Sequence, residues 1–189
     1  MKKIALILCA LALSCSAFAQ QPAKGYRGFA DWSNSFAAYK WAGDESKTAL
    51  WFTGIFTSHG YQFTPNLFLG GGVGFEASTK MGLWTVPVFA HLRTDQQWGD
   101  FTPFGDLRIG YNVADGGGLY LCPSIGYRFY AGGAFAMNIS LGMTLRGSKR
   151  ELYEVGHVDD NLDTPTVAVR HTDGHKLKAM FNFRIGMDF

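Results

Sequence analysis

The chain has 189 residues and is rich in glycine (24) and phenylalanine (16). Its 17 basic and 15 acidic residues become equal in number once Lys2 and Lys3 are removed with a leader, so its charge gives no reason to expect a nucleic-acid partner. Glycine and aromatic residues in these amounts disfavour a helical bundle and favour a tightly curved sheet.

The first nineteen residues have the features of an export signal. Lys2 and Lys3 precede an apolar segment at residues 4–13, and small residues up to Ala19 form a cleavage site. The apolar segment is too short for a transmembrane helix. We therefore expect a signal peptide at residues 1–19.

The remaining residues, 20–189, have the length of one domain. Lipidation at Cys15 is the weaker alternative to cleavage after the leader. After cleavage Cys122 is the one cysteine left, so no internal disulfide is expected to stabilise the fold.

Apolar residues alternate with small or polar residues in successive segments of this domain. The predicted strands, in chain order, cover residues 25–38, 50–62, 67–76, 84–93, 101–113, 119–129, 135–146 and 176–189. Alternation is clearest in the last segment, where Leu177, Phe181 and Ile185 share one phase and Asn182 and Arg184 the other. A period of two residues indicates strands. The first two strands are apolar or weak on both phases, so their facing stays open.

The connections between these strands alternate in length. Short turns are predicted at residues 64–66, 95–100 and 131–133, and longer connections at 40–48, 78–82, 114–118 and 147–175. Short turns at one end and longer loops at the other are typical of outer-membrane barrels. The sequence therefore predicts an all-β fold, a single eight-stranded antiparallel up-and-down transmembrane β-barrel with both termini in the periplasm.

The second phase of the strands carries charged side chains among small ones. The predicted interior charge cluster consists of Glu76, Asp106, Arg108, Arg128, Arg146 and Arg184, and Asp188 lies on the same phase. Small residues fit the narrow interior of an eight-stranded barrel, and charges of both signs can pair there. We therefore expect the apolar phase to face lipid. A soluble barrel with this phase turned inward is the alternative.

The C-terminal strand resembles that of a known class of proteins. Its alternate apolar residues lead to a terminal aromatic residue: Phe181, Phe183, Ile185, Met187 and Phe189. This series is similar to the C-terminal signature that the assembly machinery of outer-membrane barrels reads. Residues 86–93, 103–106 and 110–111 are similar to the small OmpA-like outer-membrane β-barrel domain family, and the resemblance extends over the whole mature chain.

This resemblance implies a location in the cell outer membrane of a Gram-negative bacterium. It implies outer-membrane lipid and lipopolysaccharide as surroundings, and the barrel assembly machinery as a partner during insertion. The family does not specify a function.

Two prolines fall inside predicted strands. Pro87 and Pro123 have no N–H to donate, and a closed barrel has no edge where a missing donor is harmless. We expect bulges or strand ends at both positions.

The sequence offers no convincing catalytic group. Ser58 and His59 are neighbours on a strand and point to opposite faces, so they cannot pair. His91 has no serine two residues along its strand. We therefore assign no catalytic residue and no cofactor.

The longest predicted loop, residues 147–175, is the best place for a specific external contact. Its polar residues include Glu151, His157, Asp159, Asp163 and His171. Asp159 and Asp163 imitate the start of a calcium loop, but Thr164 and Arg170 stand where glycine and glutamate are needed. We expect a solvated loop without a metal, suited to contact with lipopolysaccharide or an extracellular ligand.

These observations favour an outer-membrane barrel with a structural or surface-interaction role through its external loops. A narrow gated pore is the first alternative. A soluble lipocalin-like lipid carrier and an outer-membrane lipid-modifying enzyme are the others.

Overall fold

Nine β-strands account for most of the residues that the structure, a computed structural model, describes: 24–40, 47–78, 83–96, 101–114, 117–130, 136–154 and 169–189. The strands are β1 (Gly25–Lys40), β2 (Lys47–Thr64), β3 (Leu67–Ser78), β4 (Leu83–Thr85), β5 (Pro87–Asp95), β6 (Phe101–Asn112), β7 (Gly118–Tyr130), β8 (Ala136–Glu154) and β9 (Val169–Asp188). Within these ranges no helix has the length and apolarity needed to cross a membrane. The predicted signal peptide, residues 1–19, lies outside them.

Strands β4 and β5 together form one strand of the barrel, broken at Val86. Both pair with β3 in one antiparallel register, with no residue inserted between them. Pro87 opens β5, and a proline restricts the residue before it to extended conformations and removes a backbone donor. The expectation of a strand end at Pro87 is confirmed.

The sheet closes into a barrel because β1 pairs with both β2 and β9. The pairing can be followed from Gly25 on β1 through each neighbouring strand in turn until it returns to β1, where it arrives at Ser35. The strands are therefore staggered by ten residues around the barrel. Such a stagger tilts the strands by about 35–45° from the barrel axis. The predicted fold, an eight-stranded closed antiparallel barrel, is confirmed for the described residues.

Large exposed apolar side chains lie on the outward face of all the strands, while charged residues and a set of aromatic rings face the interior. Exposed residues alternate with buried ones, as in β5, where every second residue from Pro87 to Asp95 is buried. The facing of β1 and β2, which the sequence left open, is fixed by the same alternation of exposed and buried residues. Trp32 and Ile55 point outward, while Phe29, Phe52 and Phe56 are buried inside.

Pro123 lies in the middle of β7, and the expectation of a bulge or a strand end there is wrong. Pro123 keeps its partner Leu107 on β6. On the β8 side, pairing stops after Leu121 and resumes at Ser124 in an unchanged register. The barrel therefore accommodates the missing donor by a local gap in one ladder, without an extra residue.

The predicted loop at residues 147–175 is also wrong in its bounds, because much of it is strand. Residues Glu151 and His171 lie on β8 and β9, where they pair with Thr172 and Leu152. The hairpin is paired as far as Glu154 and Val169. The other predicted loop residues, His157, Asp159 and Asp163, lie outside the described residues.

Two hairpins continue beyond the closed part of the barrel. The described pairing of β1 with β9 ends at Phe36 and Phe181, and that of β7 with β8 ends at Tyr120 and Arg146. Beyond these residues β1 pairs only with β2, and β8 only with β9. Both hairpins project from the end of the barrel opposite Gly25, which we call the upper end.

Candidate functional site

The barrel interior holds buried ion pairs at three levels, and the lowest level lies near the start of β1 and the end of β9. It consists of Arg27, Arg93, Asp95, Arg128 and Asp188, which we call the lower network. Arg27 donates from Nη2 to Asp188 Oδ2 at 2.7 Å and pairs with Asp95 through Nη1. Arg93 Nε lies 2.8 Å from Asp95 Oδ1, and Arg128 Nε lies 2.7 Å from Asp188 Oδ2. Four strands are thereby joined across the interior.

The middle network consists of Asp31, Asp106, Arg108, Ser124 and Arg184. Arg108 pairs with Asp31 through Nη2. Arg184 Nη2 donates to Asp106 Oδ1 at 2.7 Å, and Ser124 Oγ donates to the same oxygen at 2.5 Å. Because each carboxylate has an arginine partner, the desolvation of these charges is partly offset.

The upper level is a single pair, Glu76 and Arg146. Arg146 donates from Nη2 to Glu76 Oε2, and its guanidinium carbon lies 4.5 Å from the centre of the Phe52 ring. Both side chains are buried. This pair joins β3 to β8 across the barrel.

Aromatic rings fill the interior between the charged levels. Phe29 and Phe68 contact each other edge to face at 4.9 Å between ring centres, and Phe56, Phe89 and Tyr120 form a second group. Six arginines and five carboxylates are buried among the described residues. The additional positive charge is placed beside ring faces, which attract cations. The guanidinium carbon of Arg93 lies 3.4 Å from the centre of the Phe104 ring and 4.9 Å from the centre of the Phe29 ring.

A buried serine–histidine contact occurs in the middle of the barrel, and sequence reasoning missed it. Ser58 Oγ lies 2.8 Å from His91 Nδ1, and His91 Nε2 lies 3.7 Å from Asp106 Oδ2. The order serine, histidine, aspartate is that of hydrolytic triads. However, 3.7 Å exceeds a hydrogen-bond distance. All three residues are buried, and the rings of Phe29 and Phe68 lie 5.2 and 5.3 Å from the histidine ring. A substrate would have to displace this packing, so the contact is best explained as a cross-link between β2 and β5.

Each residue of the predicted interior charge cluster is buried on the inward face. Glu76 and Arg146 form the upper pair, Asp106, Arg108 and Arg184 belong to the middle network, and Arg128 belongs to the lower one. The sequence analysis left four charged partners out of this cluster: Arg27, Asp31, Arg93 and Asp95. Asp95 was assigned to a turn but is the last residue of β5.

The outward face carries exposed aromatic residues near both ends of the strands. The lower girdle consists of Tyr26, Tyr61, Phe63 and Tyr127, and the upper girdle of Phe36, Trp51, Trp84 and Tyr111. Between them the exposed surface is apolar and mostly aliphatic, with Trp32, Phe75 and Phe181 as its aromatic members, and Ile125 and Ile55 are 73% and 68% exposed.

The predicted C-terminal assembly signal lies on the outward face of β9. Phe181 and Met187 are exposed, and Phe183, Ile185 and Phe189 are half-buried. Phe189 exchanges two backbone hydrogen bonds with Gly28, at 2.7 and 3.0 Å. The terminal residue therefore takes part in closing the barrel against β1.

No group of three or more histidine, cysteine or acidic side chains is placed to hold a metal ion within the described ranges. Cys122 is buried and free. No protein-family model and no curated protein matches the chain. The fold and these two faces therefore carry the functional argument.

Proposed function

We propose that this protein is an outer-membrane β-barrel of a Gram-negative bacterium, with a structural or surface-interaction role through its external hairpins and loops. The observation that carries the proposal is the distribution of polarity. Paired charged side chains lie inside the barrel among aromatic rings, and large exposed apolar side chains cover its outer face. In a barrel that works in water this distribution would be reversed.

The outward face has the chemistry of a surface in contact with hydrocarbon. Large exposed apolar side chains occur on every strand of the barrel, whereas apolar patches on soluble monomers are limited to a few hundred Å². A closed barrel also leaves no unpaired sheet edge at membrane depth. These two properties together favour lipid as the surrounding medium.

The spacing of the two aromatic girdles matches the thickness of an outer-membrane apolar band. Trp51 and Tyr61 lie ten residues apart on β2. At about 3.3 Å per residue and a tilt of about 40°, this separates the girdles by about 25 Å. Outer-membrane barrels have an apolar band of about 25 Å flanked by such girdles.

The export signal and the C-terminal resemblance support the same location. A chain delivered to the periplasm and carrying the series from Phe181 to Phe189 on its last strand is suited to the barrel assembly machinery. After insertion, outer-membrane lipid and lipopolysaccharide would surround the girdles. The extended β1–β2 and β8–β9 hairpins are the parts of the described chain best placed to meet an extracellular ligand.

The alternatives are less well supported. A lipocalin-like carrier needs an apolar interior, but this interior holds three levels of ion pairs. A lipid-modifying enzyme needs a serine and a histidine that a lipid can reach, but Ser58 and His91 are buried. A gated pore would require the ion pairs to separate.

The proposal is tested by outer-membrane fractionation followed by gel electrophoresis in SDS with and without boiling. We expect recovery with the outer membrane and a mobility shift on boiling, because a closed barrel resists SDS until it is heated. A soluble periplasmic protein serves as the control for fractionation. Recovery in the aqueous fraction with identical mobility in both samples would refute the proposal.

A further inference from the structure

The outward face of the barrel is not uniform, because it contains grooves, one of which lies over β5, β6 and β7. This groove has a volume of about 800 Å³, and its walls include Thr94, Gly105, Ile125 and Tyr127. A second groove of about 590 Å³ shares Thr94, Gly105 and Ile125 with it. The two grooves therefore meet at the outward-facing Gly105.

Packing within the chain does not require a glycine at position 105. A Cβ atom built there would approach only Thr94 Oγ1, at 3.6 Å, which is an ordinary van der Waals contact. At Gly110, on the same strand, a Cβ would collide with the backbone of Val88. Gly110 is thus explained by the barrel itself, whereas Gly105 leaves a hollow in the outer surface that the barrel does not need.

The most exposed large apolar side chain of the described strands stands directly beside this hollow. Ile125 is 73% exposed and is the β7 residue paired with Gly105 of β6. Paired residues on adjacent strands lie about 5 Å apart. A projecting side chain and a hollow are therefore neighbours at nearly the same height on the barrel.

We propose that this face binds a second copy of the chain, so that each Ile125 enters the groove beside Gly105 of the other copy. The inference rests on the proposed membrane location. The two copies would be related by a two-fold axis that runs parallel to the barrel axis, in front of β6 and β7. This rotation keeps every residue at its own height and places β7 of one copy opposite β6 of the other. Ile125 of each copy then faces the hollow at Gly105 of the other, so the same contact forms twice in a closed, isologous dimer.

The energetics of association in lipid favour such a contact. Apolar surface gains little from burial when the solvent is itself hydrocarbon, so close packing at small residues drives association. Gly105 allows this close approach, and the Thr94 hydroxyl is already bonded to the Gly105 carbonyl oxygen at 3.4 Å. A lipid acyl chain would fill the groove but would not account for the projecting Ile125 at its side.

Three variants of the refolded, heat-shifting barrel test the proposal by sedimentation equilibrium in density-matched detergent. Gly105→Leu fills the hollow, and Ile125→Ala removes the projection. Gly71→Leu is the matched control, because Gly71 also faces outward and a Cβ there meets only the Phe89 carbonyl oxygen at 3.7 Å. We expect the wild type and Gly71→Leu to dimerise with equal affinity. In Gly105→Leu and Ile125→Ala we expect the dissociation constant of the dimer to be about tenfold higher.

Cross-linking in native outer membranes tests the geometry. Two differently tagged chains, one with Gly105→Cys and one with Ile125→Cys, are co-expressed in a Cys122→Ser background. We expect the mixed disulfide to exceed either like-with-like product, because the two-fold axis brings position 105 of one copy to position 125 of the other.

The outcomes separate this inference from the one on which it rests. A soluble chain without a heat shift would refute the membrane location. A heat-shifting barrel that stays monomeric at all concentrations would refute only the dimer. Monomers that retain bound lipid in the wild type but not in Gly105→Leu would assign the groove to an acyl chain and would also refute the dimer.

Discussion

At the scale of single residues, the buried arginines differ in how many partners they share. Arg27 contacts two carboxylates, whereas Arg146 has one partner, Glu76. Arg146 also lies against the Phe52 ring, which attracts its charge. The upper pair is therefore the simplest place to measure what an ion pair contributes inside this barrel.

Glu76→Gln is expected to lower the free energy of unfolding by about 3–5 kcal/mol, because it leaves a buried guanidinium without its counter-charge. The double variant Glu76→Gln/Arg146→Met should recover much of this loss, because it removes both charges together. Urea unfolding of the refolded barrel in lipid vesicles measures both effects. A single variant as stable as the wild type would show that the pair does not hold β3 to β8.

The contact of Ser58 with His91 shows where prediction from sequence ends at this scale. An alternating pattern relates only positions along one strand, whereas Ser58 and His91 lie on β2 and β5. Their contact depends on the closure and tilt of the whole barrel. Asp31 was missed for a similar reason, since its partner Arg108 lies across the interior on β6.

At the scale of strands, β2 and β3 approach closely because glycines face inward on both. A Cβ at Gly70 would collide with the His59 carbonyl oxygen and would lie 2.7 Å from the Phe68 ring. The next residue, Gly71, faces outward and has room for a side chain. Two adjacent glycines therefore have opposite requirements.

Gly70→Ala is expected to destabilise the refolded barrel by about 1–3 kcal/mol through overpacking. Gly71→Ala, its neighbour in the chain, should change stability little. Urea unfolding of the two variants under the same conditions makes the comparison. Equal stability of the two variants would contradict the close approach of β2 and β3.

Prediction of the strands from sequence succeeded where one face is charged or small and the other apolar. The strands from Leu67 onward have this pattern. The facing of β1 and β2 stayed open because β2 has apolar residues on its inward phase, Phe52 and Phe56, and polar residues on its outward phase, Thr57 and His59. On the other strands the outward phase is the apolar one. The sequence predicts a loop at the ends of β8 and β9, because a hairpin beyond the closed barrel does not require an apolar phase and the alternation stops there.

The last strand allows a test of the proposed assembly signal. In cells, Phe189→Ala should reduce the heat-shifting form in the outer membrane, because the machinery would lose the terminal aromatic residue. The purified variant should still refold in detergent, since the two backbone bonds with Gly28 do not need the ring. Wild-type levels in cells would contradict the assembly role, and failure in both settings would indicate a structural role alone.

At the scale of the whole molecule, the three levels of ion pairs and the rings between them occupy the interior of the barrel. Side chains from opposite strands meet there, as Arg27 meets Asp95 and Arg184 meets Asp106. An eight-stranded barrel has an interior just wide enough for its own side chains. A structural or surface role is consistent with such a filled interior, whereas a pore needs a continuous path.

We therefore expect the refolded protein to give no conductance steps in planar lipid bilayers. Arg184→Ala would remove the central cation of the middle network and leave Asp106 with Ser124 as its hydrogen-bond donor, and this variant should conduct more than the wild type if the networks block the path. Gly71→Ala, which changes only the outer surface, is the control for leaks caused by insertion. Regular steps from the wild type that depend on voltage would favour the gated pore over the structural role.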